Sequence, residues 1–271
     1  MIDLTGSYFP ESSLSHLWYA FLLASTLSSV VGFGLTTKAL PEFSEQVGFA
    51  DLSSLTNMAK RGIRWLLFLL GFIVIVISFE GIHIVSVLLL RGQFTFADVE
   101  SVTELLKAYF GLLLLAPVAG ITASILYAQG NTREAASFFS LSFICALIVK
   151  LLLIPRFGLS GIPLGTSTYY LLTQVIVFTW LFKKGIRLVD KPFINFGLKM
   201  IVLLGTTSLI AMLINTLFPV TNYWIGLGSI VLLGIVYLSI SLLVKIEEGD
   251  LLLSNANAVR KKISISFRTR L

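Results

Sequence analysis

The chain has 271 residues, 56% of them hydrophobic and only 13% charged, with a mean hydropathy of +0.92 and a formal net charge of +6. So little charge cannot cover the surface of a water-soluble domain of this length. The composition therefore excludes a soluble enzyme and points to an integral membrane protein with hydrocarbon as its solvent.

Apolar blocks long enough to span about 30 Å of hydrocarbon recur along the chain. They predict about seven transmembrane helices, at roughly 16–40, 62–80, 104–128, 135–154, 159–182, 194–217 and 221–244. The blocks are continuous rather than alternating, which favours helices over barrel strands. Residues 1–15 carry Asp3 and Glu11 but no Lys or Arg, so no secretory signal is expected. In the first span Tyr19, Thr26, Ser29 and Thr37 fall near one helical stripe, with Ser25, Ser28, Gly32 and Thr36 beside it. Small residues at this spacing serve close helix packing. A row of hydroxyls equally suits the wall of a polar cavity.

After the second span, residues 82–90 are too few to cross again. Gly81 and Arg91-Gly92 bracket them, which predicts a short interfacial helix and leaves Glu80 at the membrane boundary. Pro117 in mid-span predicts a kink and a candidate hinge. The fifth span opens with the small-residue run from Gly158 to Thr168, and deeper in it Gln174 must find a partner. The two last spans are mainly aliphatic and read as lipid-facing or as the walls of an acyl-chain groove. Cys145, the single cysteine, cannot pair within the chain and reads as packing like a small hydrophobe.

Placing the 20 Lys and Arg on alternating sides puts sixteen on one side, and only Arg91, Lys107, Lys150 and Arg156 on the other. By the positive-inside rule the C-terminus is then cytoplasmic and Met1 outside. The basic charge reads as a topology signal and a contact for anionic lipid, not for nucleic acid. No phosphate loop, metal-ligand cluster or catalytic constellation is visible. No cofactor, metal or catalytic residue is therefore expected.

Five local motifs in order carry a resemblance. They are Ser15-His-Leu-Trp-Tyr19-Ala20; Gly32-Phe-Gly34 with Thr36-Thr-Lys-Ala-Leu-Pro41-Glu-Phe-Ser44; Leu90-Arg91-Gly92-Gln-Phe94-Thr95; Tyr127-Ala128-Gln-Gly130-Asn131-Thr132-Arg133; and Gly158-Leu-Ser-Gly161-Ile. This order resembles the MviN/MurJ family, the lipid II flippases of the multidrug/oligosaccharidyl-lipid/polysaccharide exporter superfamily. The resemblance implies a fourteen-helix flippase of the bacterial cytoplasmic (inner) membrane. This chain would supply second-lobe helices (1–185), two further transmembrane helices (186–246) and a basic cytoplasmic tail (247–271).

The implied function is movement of a lipid-linked glycan or peptidoglycan precursor by alternating access, with membrane lipids and a missing N-terminal half as partners. Substrate-path candidates are Tyr19, Thr26, Ser29, Thr37, Lys107 and Gln174, with Pro117 as hinge. Where the family places an acid and an arginine after Tyr-Ala, this chain has Phe21, Leu22 and Ser25. The alternatives are a non-transporting accessory protein derived from such a half, or a drug/cation antiporter of the same superfamily.

Overall fold

A computed structural model describes residues 13–217, 223–252 and 254. The expectations for Met1, for residues 221 and 222 and for the basic tail residues Arg260, Lys261, Lys262, Arg268 and Arg270 lie outside the described residues. Among the described residues the chain forms helices and no strand. The helices are α1 (Ser13–Gly48), α2 (Leu52–Leu89), α3 (Phe96–Ala108), α4 (Phe110–Ala128), α5 (Thr132–Phe157), α6 (Gly161–Lys183), α7 (Lys191–Leu217) and α8 (Tyr223–Leu243). A 3-10 turn, Gly158–Ser160, joins α5 to α6.

Ser13–Gly48, Leu52–Leu89, Phe110–Ala128, Thr132–Lys183 and Lys191–Thr216 are long and apolar enough to cross a membrane, and Gly228–Leu243 is a shorter apolar helix. Thr132–Lys183 contains both α5 and α6. An all-α membrane protein with about seven spans is thus what the chain folds into.

Two boundaries differ from the expectation. The short interfacial helix at 82–90 does not exist as a separate element, because α2 runs unbroken through Gly81 to Leu89. Its 38 residues reach roughly 57 Å at about 1.5 Å per residue, well beyond the hydrocarbon. Gly81 is no breaker here, since its bare face packs against Thr103 of α3, where an added Cβ would stand 3.2 Å from Thr103 Cγ2. Glu80 accordingly sits inside the helix and is buried.

The second difference is in the expected span 104–128, which is two helices interrupted at Tyr109. The break falls there and not at Pro117, through which α4 is continuous. α3 has its own start: Thr95 and Asp98 form a reciprocal capping box, which satisfies two otherwise orphaned amides.

Three apolar clusters hold the bundle, and α2 contributes to all of them. One joins α1, α2, α4 and α6 around Phe43, Leu66, Ile121 and Leu181. A second joins α1 to α4 through Ala20, Ile77, Val102 and Leu113. The third packs α7 and α8 onto α2 through Phe68, Phe196, Leu203 and Tyr237. Tyr237 also donates to the Phe68 carbonyl at 2.7 Å, which satisfies its buried hydroxyl.

Glycine sets the closest approaches. α1 and α4 run parallel: Gly32 meets Pro117, and one turn on Gly120 meets Thr36. α5 and α6 form an antiparallel hairpin, with Gly161 against the Ile154 backbone and Gly165 against the Lys150 stem. Away from these contacts α5, α7 and α8 expose Leu147, Leu151, Ile201, Leu209, Val231 and Ile235, among others. Such a surface is unfavourable in water and natural in hydrocarbon.

Candidate functional site

The site is built on α1. One face of this helix repeats small or compact residues every fourth position: His16, Ala20, Ala24, Ser28 and Gly32 are buried. This row lets α4 approach closely, as small residues do between membrane helices. The opposite face carries Tyr19, Leu22, Thr26, Ser29, Phe33 and Thr37, all exposed. Thr37 donates to the Phe33 carbonyl and Thr36 to the Gly32 carbonyl, so each hydroxyl keeps accepting capacity toward the outside. Where α1 meets α4, a cleft of about 230 Å³ opens, lined by Ser28, Ser29, Gly32, Thr36, Pro117 and Gly120 among others.

The two expected readings of this stripe separate by face. Ser28 and Gly32 serve helix packing. Tyr19, Thr26, Ser29 and Thr37 face outward. Ser29 and Pro117 share the cleft. Lys107 is exposed on the last turn of α3. Gln174 lies apart from the stripe, buried between α4 and α6, where its Oε1 accepts from Thr122 Oγ1 over a long 3.4 Å.

The first and third sequence motifs meet in space. The Tyr19 ring stands edge-on to Phe94, centroids 5.6 Å apart. His16 Nε2 lies 2.8 Å from Asp98 Oδ1. Asp98 accepts from the Thr95 hydroxyl and amide, both at 2.7 Å. These bonds, the Thr95 hydroxyl first, hold the Asp98 carboxyl below its ordinary pKa. The motif Arg91–Thr95 therefore braces the first turns of the polar helix. Nothing in residue spacing paired His16 with Asp98, which is 82 positions away.

Ser167 ties the break at Tyr109 to α6. It donates to the Ala108 carbonyl at 3.0 Å and accepts from the Gly111 amide at 3.1 Å. These are backbone groups that an interrupted helix leaves open.

A second polar cluster lies at the start of α2. Arg64 Nε is 2.8 Å from Glu248 Oε1, and its Nη2 donates to Glu247 at 2.9 Å and to Glu248 at 3.1 Å. Lys60 pairs with Asp190, and this bond is the main cause of a lowered Asp190 pKa. Arg64 also stacks 4.9 Å over Phe196. These pairs tie α7 and the residues after α8 to α2. Among the described residues no group of three or more His, Cys, Asp or Glu could hold a metal ion.

The comparisons with known proteins agree on one family. The family described as lipid II flippase MurJ matches residues 2–236. A "probable lipid II flippase MurJ" of Vibrio cholerae is 23% identical over 262 residues, covering 92% of this chain and 49% of its own length. The corresponding Bdellovibrio bacteriovorus protein is 24% identical, covering 68% and 35%, and that of Rickettsia prowazekii is 29% identical, covering 61% and 33%. A solved structure, "Lipid II flippase MurJ, inward closed conformation", superposes with a TM-score of 0.69 at 21% identity, over 88% of this chain and 48% of that one. The chain thus spans about half the length of the Vibrio cholerae relative and of the solved structure.

Proposed function

The chain belongs to the lipid II flippase MurJ family, and on that premise we propose that it acts as the second half of a flippase. The cargo is a lipid-linked glycan or peptidoglycan precursor, moved across the cytoplasmic membrane by alternating access between two lobes. The observation that carries this reading is the outward polar face of α1. Tyr19, Thr26, Ser29 and Thr37 are exposed, and Ser29 also lines a cleft at the α1–α4 contact. Hydroxyls gain nothing from lipid tails, so such a face suits a water-filled cavity shared with another lobe. Lys107, exposed on the last turn of α3, is a further candidate for that path, and Pro117 is the position at which α4 can flex. Gln174 serves instead to join α4 to α6.

In this reading Met1 is outside and the C-terminus cytoplasmic, as the distribution of Lys and Arg favours. The cation for a pyrophosphate headgroup comes from the other lobe, since Leu22 occupies the family's arginine position in α1. An accessory, non-transporting role is the second reading, favoured by that same leucine.

The test is complementation in cells depleted of their lipid II flippase. Residues 1–271 are expressed alone and together with the first half of the Vibrio cholerae relative. Rescue is expected only in the pair. Rescue by the chain alone would overturn the assignment of the cation to another lobe, and failure of both would favour the accessory role.

A further inference from the structure

A cavity of about 480 Å³ opens between the ends of α1 and α2, with Ile121 of α4 at its floor. On α2, Asn57, Arg61 and Trp65 follow one another at every fourth residue. They form a ridge between this cavity and a second cleft of about 710 Å³. Three cations share these two turns of α2. Lys60 is engaged by Asp190, and Arg64 by Glu247 and Glu248. Arg61 makes no ion pair among the described residues. Its planar fork is therefore available, and it lines the smaller cavity beside the Asn57 amide and the Ser54 hydroxyl. Across from it Glu42 of α1 makes no ion pair or side-chain hydrogen bond among the described residues and lines the same cavity.

We propose that this cavity binds the headgroup of a phosphatidylglycerol-type lipid, with Arg61 holding the phosphate and Glu42 accepting from the glycerol hydroxyls. Three features carry the proposal. The guanidinium is the side chain best matched to a phosphate, because it is permanently charged and donates two parallel bonds. Leu35, Ala39 and Met58 give the cavity an apolar wall for the glycerol end of the acyl chains. Trp65 belongs to the residue type that settles at headgroup depth. A glycerol headgroup satisfies both Arg61 and Glu42, whereas inorganic phosphate satisfies Arg61 alone and meets repulsion from Glu42. The site is independent of the transport reading and stands whichever precursor the family member moves.

The test uses the full chain in phosphatidylcholine nanodiscs. Phosphatidylglycerol or phosphatidylcholine brominated high on the acyl chain is titrated in, and tryptophan quenching is read. The difference between the native protein and W65F isolates the Trp65 signal. Trp65 quenching is expected at a several-fold lower fraction of the brominated phosphatidylglycerol. R61Q should abolish that preference and R61K reduce it, while R133Q, at an exposed cation on α5, should leave it unchanged. E42Q should weaken the preference by less than R61Q does.

Inorganic phosphate is then added. Displacement of the brominated phosphatidylglycerol would show a site that takes a free phosphate as well. Failure to displace it would assign the site to the lipid. Circular dichroism and elution volume report whether each variant folds, and R61K carries the test if R61Q does not. Equal quenching by both lipids, or a preference that survives every Arg61 substitution, would overturn the proposal.

Discussion

Gly32 of α1 lies directly against Pro117 of α4: a Cβ on Gly32 would stand 2.8 Å from Pro117 Cβ. The contact keeps the two helices close beneath the polar cleft. Gly32→Ala should therefore force them apart, lowering stability by about 1–3 kcal/mol as overpacking typically does. Gly34, two residues on, has nothing within 4 Å of an added Cβ, so Gly34→Ala should be neutral. Thermal unfolding of both variants in detergent checks the pair. Equal effects would mean that α1 and α4 are not held at this glycine.

If the exposed face of α1 lines water, single cysteines at Tyr19, Thr26 and Ser29 should react with a membrane-impermeant thiol reagent. Cysteines at Ala20 and Ala24, which are fully buried, should not. The background is the chain with Cys145→Ala. Protection of both sets in the assembled membrane protein would make the stripe a packing surface.

Ser167 serves both backbone groups left open at Tyr109. Ser167→Ala should cost about 1–3 kcal/mol, the range for leaving a buried polar group unpaired. Thr168 bonds only within its own helix, to the Leu164 carbonyl. Thr168→Ala should thus fall well below that. Chemical denaturation in mixed micelles separates the two.

Glu248 is buried, with Arg64 as its partner. Arg64→Ala leaves an unpaired carboxylate in the core and should destabilise by about 3 kcal/mol, the lower end for a broken buried pair, since Arg64 keeps some exposure. Glu247 is largely exposed, and Glu247→Gln should change stability by less than about 1 kcal/mol. Limited proteolysis after α8 should accelerate in the first variant only.

Asp98 has a folded-state pKa below its ordinary value of 3.8, chiefly through the Thr95 hydroxyl. A depressed folded pKa means stability that is present above pH 3.8 and lost as pH falls through the folded value. The start of α3 should therefore loosen on acidification below pH 3.8, read as a fall in amide protection, relative to the intrinsic exchange rate at each pH, at residues 96–99. Asp98→Asn should exchange faster already at neutral pH and lose most of this acid dependence. Unchanged acid dependence in that variant would place its origin elsewhere.

The order of the elements was legible because a membrane reduces folding to one dominant rule. A segment either satisfies its own backbone in hydrocarbon or does not cross. The continuous apolar blocks therefore revealed the spans. The small residues and the hydroxyls of α1 were legible as neighbouring stripes, but which of them packs and which is exposed was not.

What the sequence could not settle were the outcomes of competition between distant groups. Gly81 alone reads as a breaker. In the structure α2 continues through it, and its missing side chain lets Thr103 of α3 approach closely. Pro117 reads as a place to bend, and α4 continues through it; the interruption lies at Tyr109, where Ser167 of another helix takes up the freed backbone groups. The ion pair of Arg64 with Glu248 and the contact of His16 with Asp98 join residues 184 and 82 positions apart. A charge carries no address for its partner in the linear chain. Only the packing of α2 against the segments before α7 and after α8 decided that Lys60 and Arg64 are compensated, while Arg61 makes no ion pair among the described residues and faces an open cavity.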